Sequence, residues 1–209
     1  MQRRRQNNER YCYHYETIYG EEVMTGVKVL GLDPGFASIG AAVFELSKTG
    51  EVVSEVSVFK TSKSDKKRKV RASDDNLRRA RSIYVMLSDL LMRHPDIRVV
   101  CAETMSFPRN SSAAAKMAMC WGVVASLVES LQLPIVQASP QEVKMALCGA
   151  KSATKLQVRE ALQSRYEGAF DPFTDSYGKT SWEHGFDAAG VVVACLNSDV
   201  IQLARGMAV

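Results

Sequence analysis

At 209 residues the chain has the size of one domain, or of one domain with a tail. Its 46% hydrophobic and 24% charged composition is that of a globular protein and excludes wholesale disorder, and its longest uncharged apolar run, Met117–Val128, is too short for a membrane span. The 27 Lys and Arg against 23 Asp and Glu leave a net charge of +4, yet Lys63–Arg81 alone carries nine basic residues against three acidic ones, a patch suited to a polyanion.

Residues 1–26 mix arginine, glutamate and tyrosine without a period and are expected to be a poorly ordered extension, with the folded domain at 27–209. The Arg-rich start lacks the apolar stretch of a secretory signal, and its acids disfavour a mitochondrial presequence. Val27–Leu32, Ile39–Leu46 and Val52–Phe59 read as three strands of an antiparallel meander, broken first at Asp33-Pro34-Gly35 and then at Lys48–Glu51. Lys60–Ser73 reads as a basic loop. Leu77, Ala80, Tyr84, Leu87 and Leu91 then recur at helical spacing, with Asp74 or Asp75 as N-cap and Pro95 as stop.

Ile97–Glu103 is a continuous apolar run, the mark of a strand covered on both faces. Ser111–Leu131 is apolar nearly all round and predicts a buried helix, and Leu133–Ala138 a short strand. Helices are expected at Pro140–Leu147 and Ser152–Tyr166, a loop at Gly168–Glu183, and a last apolar helix at His184–Ala204. The order is that of an α/β fold, a mixed sheet with helices on its faces. Five cysteines, an odd number with no CxxC pair, lie mostly in apolar runs and point to a reducing, intracellular setting.

Acids in buried strands are costly unless paired, hydrogen-bonded or bound to metal. Asp33 closes the first apolar run and Glu103 the fourth; if those runs are sheet neighbours, the two carboxylates meet at one edge. Asp187 opens the last helix three residues after His184, a spacing that aims both at one centre. Three hard oxygen donors and an imidazole suit Mg²⁺ or Mn²⁺ holding a phosphate. Lys151, Lys155 and Arg159 fall at i, i+4 and i+8 and form one basic stripe.

These residues stand in a familiar order. Leu30-Gly31-Leu32-Asp33-Pro34-Gly35, Ala102-Glu103 followed by Phe107 and Arg109-Asn110, Lys144 followed by Gly149–Lys155, and His184-Gly185-Phe186-Asp187-Ala188-Ala189 resemble the four motifs of RuvC-type Holliday junction endonucleases, of the RNase H-like superfamily. The likeness runs from about Val27 to Ala204 and would suit a phage or mobile-element member.

The resemblance implies an RNase H-like mixed five-stranded sheet flanked by helices. It implies a metal-dependent endonuclease that resolves Holliday junctions or related branched DNA, working as a homodimer in the cytoplasm of a bacterial or phage-infected cell, with no membrane and with unknown recombination or replication partners. Asp33, Glu103 and Asp187 would be metal-binding acids with His184 in the fourth position, where many family members place Asp. Two Mg²⁺ or Mn²⁺ ions would be held. Lys144 and Lys155 would lie beside the scissile phosphate. Phe107, with Met105 as its rival, would stack on unpaired bases. Arg109, Lys116, Lys151 and Arg159 would touch the DNA backbone. A branched-DNA-binding protein with weak or no cleavage is the alternative, suggested by His184 and the enlarged basic segment.

Overall fold

The computed structural model describes residues 26–65 and 69–207, so the expected N-terminal extension lies outside the described residues. Val27–Asp33 (β1), Ser38–Leu46 (β2) and Glu51–Lys60 (β3) form the expected antiparallel meander, with Asp33 opposite Gly40 and Val27 opposite Leu46. Ile97–Glu103 (β4) lies parallel to β1 on its other side, and Ile135–Ala138 (β5) lies parallel to β4. The sheet order is β3-β2-β1-β4-β5. Both edges are poor templates for further strands: β5 has four residues, and β3 carries Glu51, Glu55 and Lys60 together with a register shift opposite Val43/Phe44.

Apolar side chains fill both faces of this sheet. One core joins Leu30, Leu32, Ile39 and Val100 to two helices, Ala72–Arg93 (α1) and Ser111–Ser130 (α2). The other joins Val29, Phe44 and Val99 to Pro140–Cys148 (α3), Lys155–Arg165 (α4), Asp171–Ser176 (α5), Lys179–Cys195 (α6) and Asp199–Met207 (α7). The alternation of inward faces explains why β1 and β4 read as continuous apolar runs.

Local signals set several boundaries. Ser139 and Thr154 each close a reciprocal capping box, with Glu142 and Gln157 as their partners, and Gly149 ends α3 in the left-handed conformation at φ 67°. Other expectations need correction. α1 starts at Ala72, so Asp74 and Asp75 lie in its first turn and neither is the N-cap. Asp75 turns back to accept hydrogen bonds from the Ser64 hydroxyl and backbone N–H and from Arg78, which pull its pKa down to about 2. The inward stripe of α1 is Arg79, Ala80, Ile83, Leu87 and Leu90, whereas Leu77 and Tyr84 face solvent.

α2 is not a buried helix. Only Cys120, Val124, Leu127 and Val128 are buried, a single stripe at helical spacing, so much of its apolar surface lies outside the core. Its length and mean hydropathy would allow a membrane span by composition, but Lys116 and the packed stripe fit a surface helix with one face in the core. The stretch Gly168–Glu183 is not a loop. Phe170 and Phe173 are buried against Phe186, with ring centroids 4.7 Å and 5.9 Å apart, and this packing folds α5 and the first turn of α6. Nor is His184–Ala204 one helix: the chain bends by 82° between α6 and α7, where the Ser198 hydroxyl accepts from the Ile201 N–H.

Candidate active site

β1 and β4 are parallel neighbours paired at Leu32 and Ala102, so their last residues, Asp33 and Glu103, leave the sheet side by side at one end. Carboxyl ends of parallel strands are where α/β sheets offer their side chains to ligands. α6 crosses the same end at unusually short range, and two glycines permit it. A methyl group on Gly40 would overlap the carbonyl oxygen of His184, and one on Gly31 would overlap that of Ala188. The helix backbone therefore rests on the backbone of β1 and β2, which brings His184 and Asp187 down to the acids. Both lie well inside α6 and not at its start.

His184 Nδ1 lies 2.7 Å from Asp33 Oδ2, and this bond raises the imidazole pKa. Lys155, from the first turn of α4, bridges Glu183 and Asp187, reaching the Asp187 carboxylate at 3.2 Å. Burial, and then the charges of Asp33 and Asp187, push Glu103 up to about 7. Burial pushes Asp187 up to about 6 in the same way, with Asp33 adding to it and Lys155 opposing it. The carboxylates are thus close enough to disfavour one another's charge, the condition that a bound cation relieves. Among the described residues no three such side chains converge on one ion position as the site stands; His184 engages Asp33 and Lys155 engages Asp187. The donor set, three hard carboxylates and an imidazole at one sheet end, fits a small divalent cation.

The remaining sequence candidates spread outward from this centre. Phe107 is 80% exposed on the segment between β4 and α2, while Met105 is half-buried, so Phe107 is the side chain free to reach a ligand. Arg109 and Lys151 are exposed, and Lys116 is half-buried on α2. Lys144 is half-buried on α3 and makes no hydrogen bond or ion pair among the described residues, so Lys155 alone of the two lysines engages the acids. Arg159 lies one turn beyond Lys155, with its guanidinium over the Trp182 ring at 5.7 Å.

Sequence reasoning missed two contributors. Glu183, the second partner of Lys155, sits directly before the last motif. Arg79 is only 4% exposed: it donates to Thr61 Oγ1 at 2.9 Å and to the Phe36 carbonyl at 3.2 Å, and lies over the Phe36 ring at 4.5 Å. Thr61 donates to the same carbonyl at 2.6 Å. Phe36 is in the turn that follows Asp33, so this buried cation clamps the turn behind an acid of the site. Its position four residues before Ile83, on the buried stripe of α1, was the available signal. One surface hollow, about 740 Å³, runs along the outer face of α1 and is lined by none of the acids; another, of about 230 Å³, opens onto Asp187.

A mixed sheet in this order, with acids at the ends of the first and fourth strands and on the helix laid across them, defines an RNase H-like nuclease fold. The family model of crossover junction endodeoxyribonuclease RuvC matches residues 29–165. The chain is 32% identical to the crossover junction endodeoxyribonuclease RuvC of Gloeobacter violaceus over 67% of its own length and 75% of the relative's. It is 24% identical to that of Prochlorococcus marinus strain AS9601 over 83% and 98%. Among solved structures it resembles T. thermophilus RuvC in complex with Holliday junction substrate, with a TM-score of 0.63, 22% identity, and 87% and 98% of the two chains covered. The yeast mitochondrial Holliday junction resolvase aligns with a TM-score of 0.58 at 10% identity over 90% and 87%. The chain belongs to the RuvC family, whose nucleases depend on divalent metal. His184 and Asp187 lie beyond the matched residues, and their place in the site comes from the geometry of α6.

Proposed function

We propose that this chain resolves four-way or related branched DNA by metal-dependent phosphodiester hydrolysis, with residues 27–209 as the nuclease domain. The observation that carries the reading is the meeting of Asp33 and Glu103 at adjacent parallel strand ends beneath Asp187 of α6, in a chain of the RuvC family. Asp33, Glu103 and Asp187 would hold two Mg²⁺ or Mn²⁺ ions, with His184 as the fourth donor. Bound there, such ions activate water and neutralise charge on an in-line transition state.

The chain's own side chains do the positioning. Lys155, paired with Glu183 and Asp187, and Lys144 on α3 would lie beside the scissile phosphate. Phe107 takes an unpaired base on its open face, a role that every base's π-face permits. Arg109, Lys116, Lys151 and Arg159 neutralise backbone phosphates without regard to sequence. The exposed apolar side of α2 supports a homodimer, whose two-fold symmetry matches the two equivalent strands of a four-way junction.

A second reading, junction binding with weak or no cutting, is favoured by one observation: as the site stands, His184 and Lys155 engage two of its three acids. A labelled four-way junction incubated with Mg²⁺ and then Mn²⁺ between pH 7 and 9 separates the two. We expect paired cuts by the wild type, and an Asp33→Asn variant that binds the junction and does not cut it. Cutting by Asp33→Asn overturns the assignment of Asp33, and binding without cutting in either metal favours the second reading.

A further inference from the structure

The hollow of about 230 Å³ beside Asp187 lies between α4 and α6 and is lined by Lys155, Arg159, Lys179, Trp182, Glu183 and Asp187, together with apolar side chains. Its charges are unevenly satisfied. Lys155 is engaged by Glu183 and Asp187, whereas neither Arg159 nor Lys179 has an ion-pair partner among the described residues. The Arg159 Nε atom is shielded from solvent and has no hydrogen-bond partner, a condition that calls for a ligand or a water. Its guanidinium is held over the Trp182 ring, and the indole is itself fixed by an N–H bond of 2.6 Å to the Tyr177 carbonyl. A cation on an aromatic shelf in a part-buried recess keeps its orientation and waits for an anion. Lys179, exposed at the first turn of α6, is a second unpaired cation on the same recess.

We propose that this recess is a phosphodiester subsite for the cleaved strand, taking a phosphate next to the scissile one. Arg159 and Lys179 hold the phosphate, and Trp182 is a positioning residue that keeps Arg159 aimed. Lys155 and Arg159 are one helical turn apart, about 6 Å along the axis, on the scale of a nucleotide step. A strand whose scissile phosphate reaches Lys155 therefore brings a neighbouring phosphate over Arg159. Lys179 and Trp182 lie after residue 165, where the family match ends, whereas Arg159 lies within it, so the recess joins a matched helix to an unmatched one. The inference rests on the branched-DNA reading and adds a specific contact to it.

The test uses the full chain and a labelled four-way junction, with Ca²⁺ in place of Mg²⁺ to hold the complex uncut, across a series of KCl concentrations. Arg159→Ala and Lys179→Ala should each weaken binding about 5- to 10-fold and lower the slope of log affinity against log salt by about one, as expected for one lost phosphate contact. Trp182→Ala should mimic Arg159→Ala, and the double variant should be no weaker than Arg159→Ala alone, because both changes remove the same contact. Unchanged affinity and slope in both single-cation variants would overturn the subsite. Lys179 is exposed, so its variant reports even if Arg159→Ala fails to fold. Wild-type cleavage in Mg²⁺ is run alongside: a wild type that binds and cuts while the variants match it sinks the subsite alone, and a wild type that does not bind the junction sinks the underlying reading as well.

Discussion

Burial beside like charges raises Glu103 to about 7 and Asp187 to about 6, so both hold protons at a higher pH than ordinary carboxylates do. Cations bind the ionised forms, so ion binding must displace those protons. The sign follows: Mn²⁺ affinity, read by titration calorimetry, should rise several-fold between pH 6 and pH 8 with net proton release, and a flat profile would detach these acids from the ion. His184, raised by its bond to Asp33, loses its proton later than a free imidazole and so also delays ion binding until the pH is higher. His184→Asp should keep cutting while its pH optimum moves down; an unchanged profile argues against ligation by His184. Arg79→Met should cost about 2–3 kcal/mol, the scale of charge-assisted hydrogen bonds lost, and should lower cutting more than junction affinity. Arg79→Lys restores the charge and not the fork, so it should recover activity only in part. Asp33 and Glu103 were legible in the sequence because an acid ending a buried apolar run needs a reason to be there. Arg79 was not, because a basic run reads as solvated surface until the packing of α1 shows which member of it points inward.

At the scale of elements, the descent of α6 onto β1 and β2 is the feature that assembles the site. Gly40→Ala should force the His184 carbonyl away, costing about 1–3 kcal/mol as overpacking does and abolishing cutting through displacement of His184. Gly50→Ala meets nothing within 4 Å and serves as the matched control, with thermal melting and junction cleavage as the readouts. Near-wild-type activity in Gly40→Ala would show that this contact does not set the site. The antiparallel meander and the helices α3 and α4 could be read from local chemistry, whereas the pairing of β1 with β4 entered only as a condition. The start of α6 could not, since its first turn is folded by Phe170 and Phe173 reaching Phe186 across the core, a contact that no local pattern announces. The apolar composition of α2 misled for the opposite reason: composition records that a surface is greasy, and not what covers it.

Across the whole molecule, Glu51 ties three distant pieces together. At the start of β3 it accepts from Arg165 at 2.5 Å, from Arg205 of α7 at 2.8 Å and from the Tyr166 hydroxyl at 3.1 Å. Burial pushes its carboxyl up, but the two arginines outweigh it and hold the pKa below the ordinary value. A depressed folded-state pKa stabilises above the ordinary value and is lost as pH falls below about 4.5 and through the folded value. Glu51→Gln should therefore lower the melting temperature at pH 7 by the equivalent of about 2 kcal/mol and shrink the difference from wild type in acid. A difference that persists unchanged at low pH would deny Glu51 this part. The blunt sheet margins described for β3 and β5 carry a last consequence. A short strand at one flank and a bulged, charged one at the other disfavour the addition of a second copy to the hydrogen-bonded ribbon. The proposed homodimer would then pair through the helical coat, and the sheet end that carries Asp33 and Glu103 would stay open in each subunit.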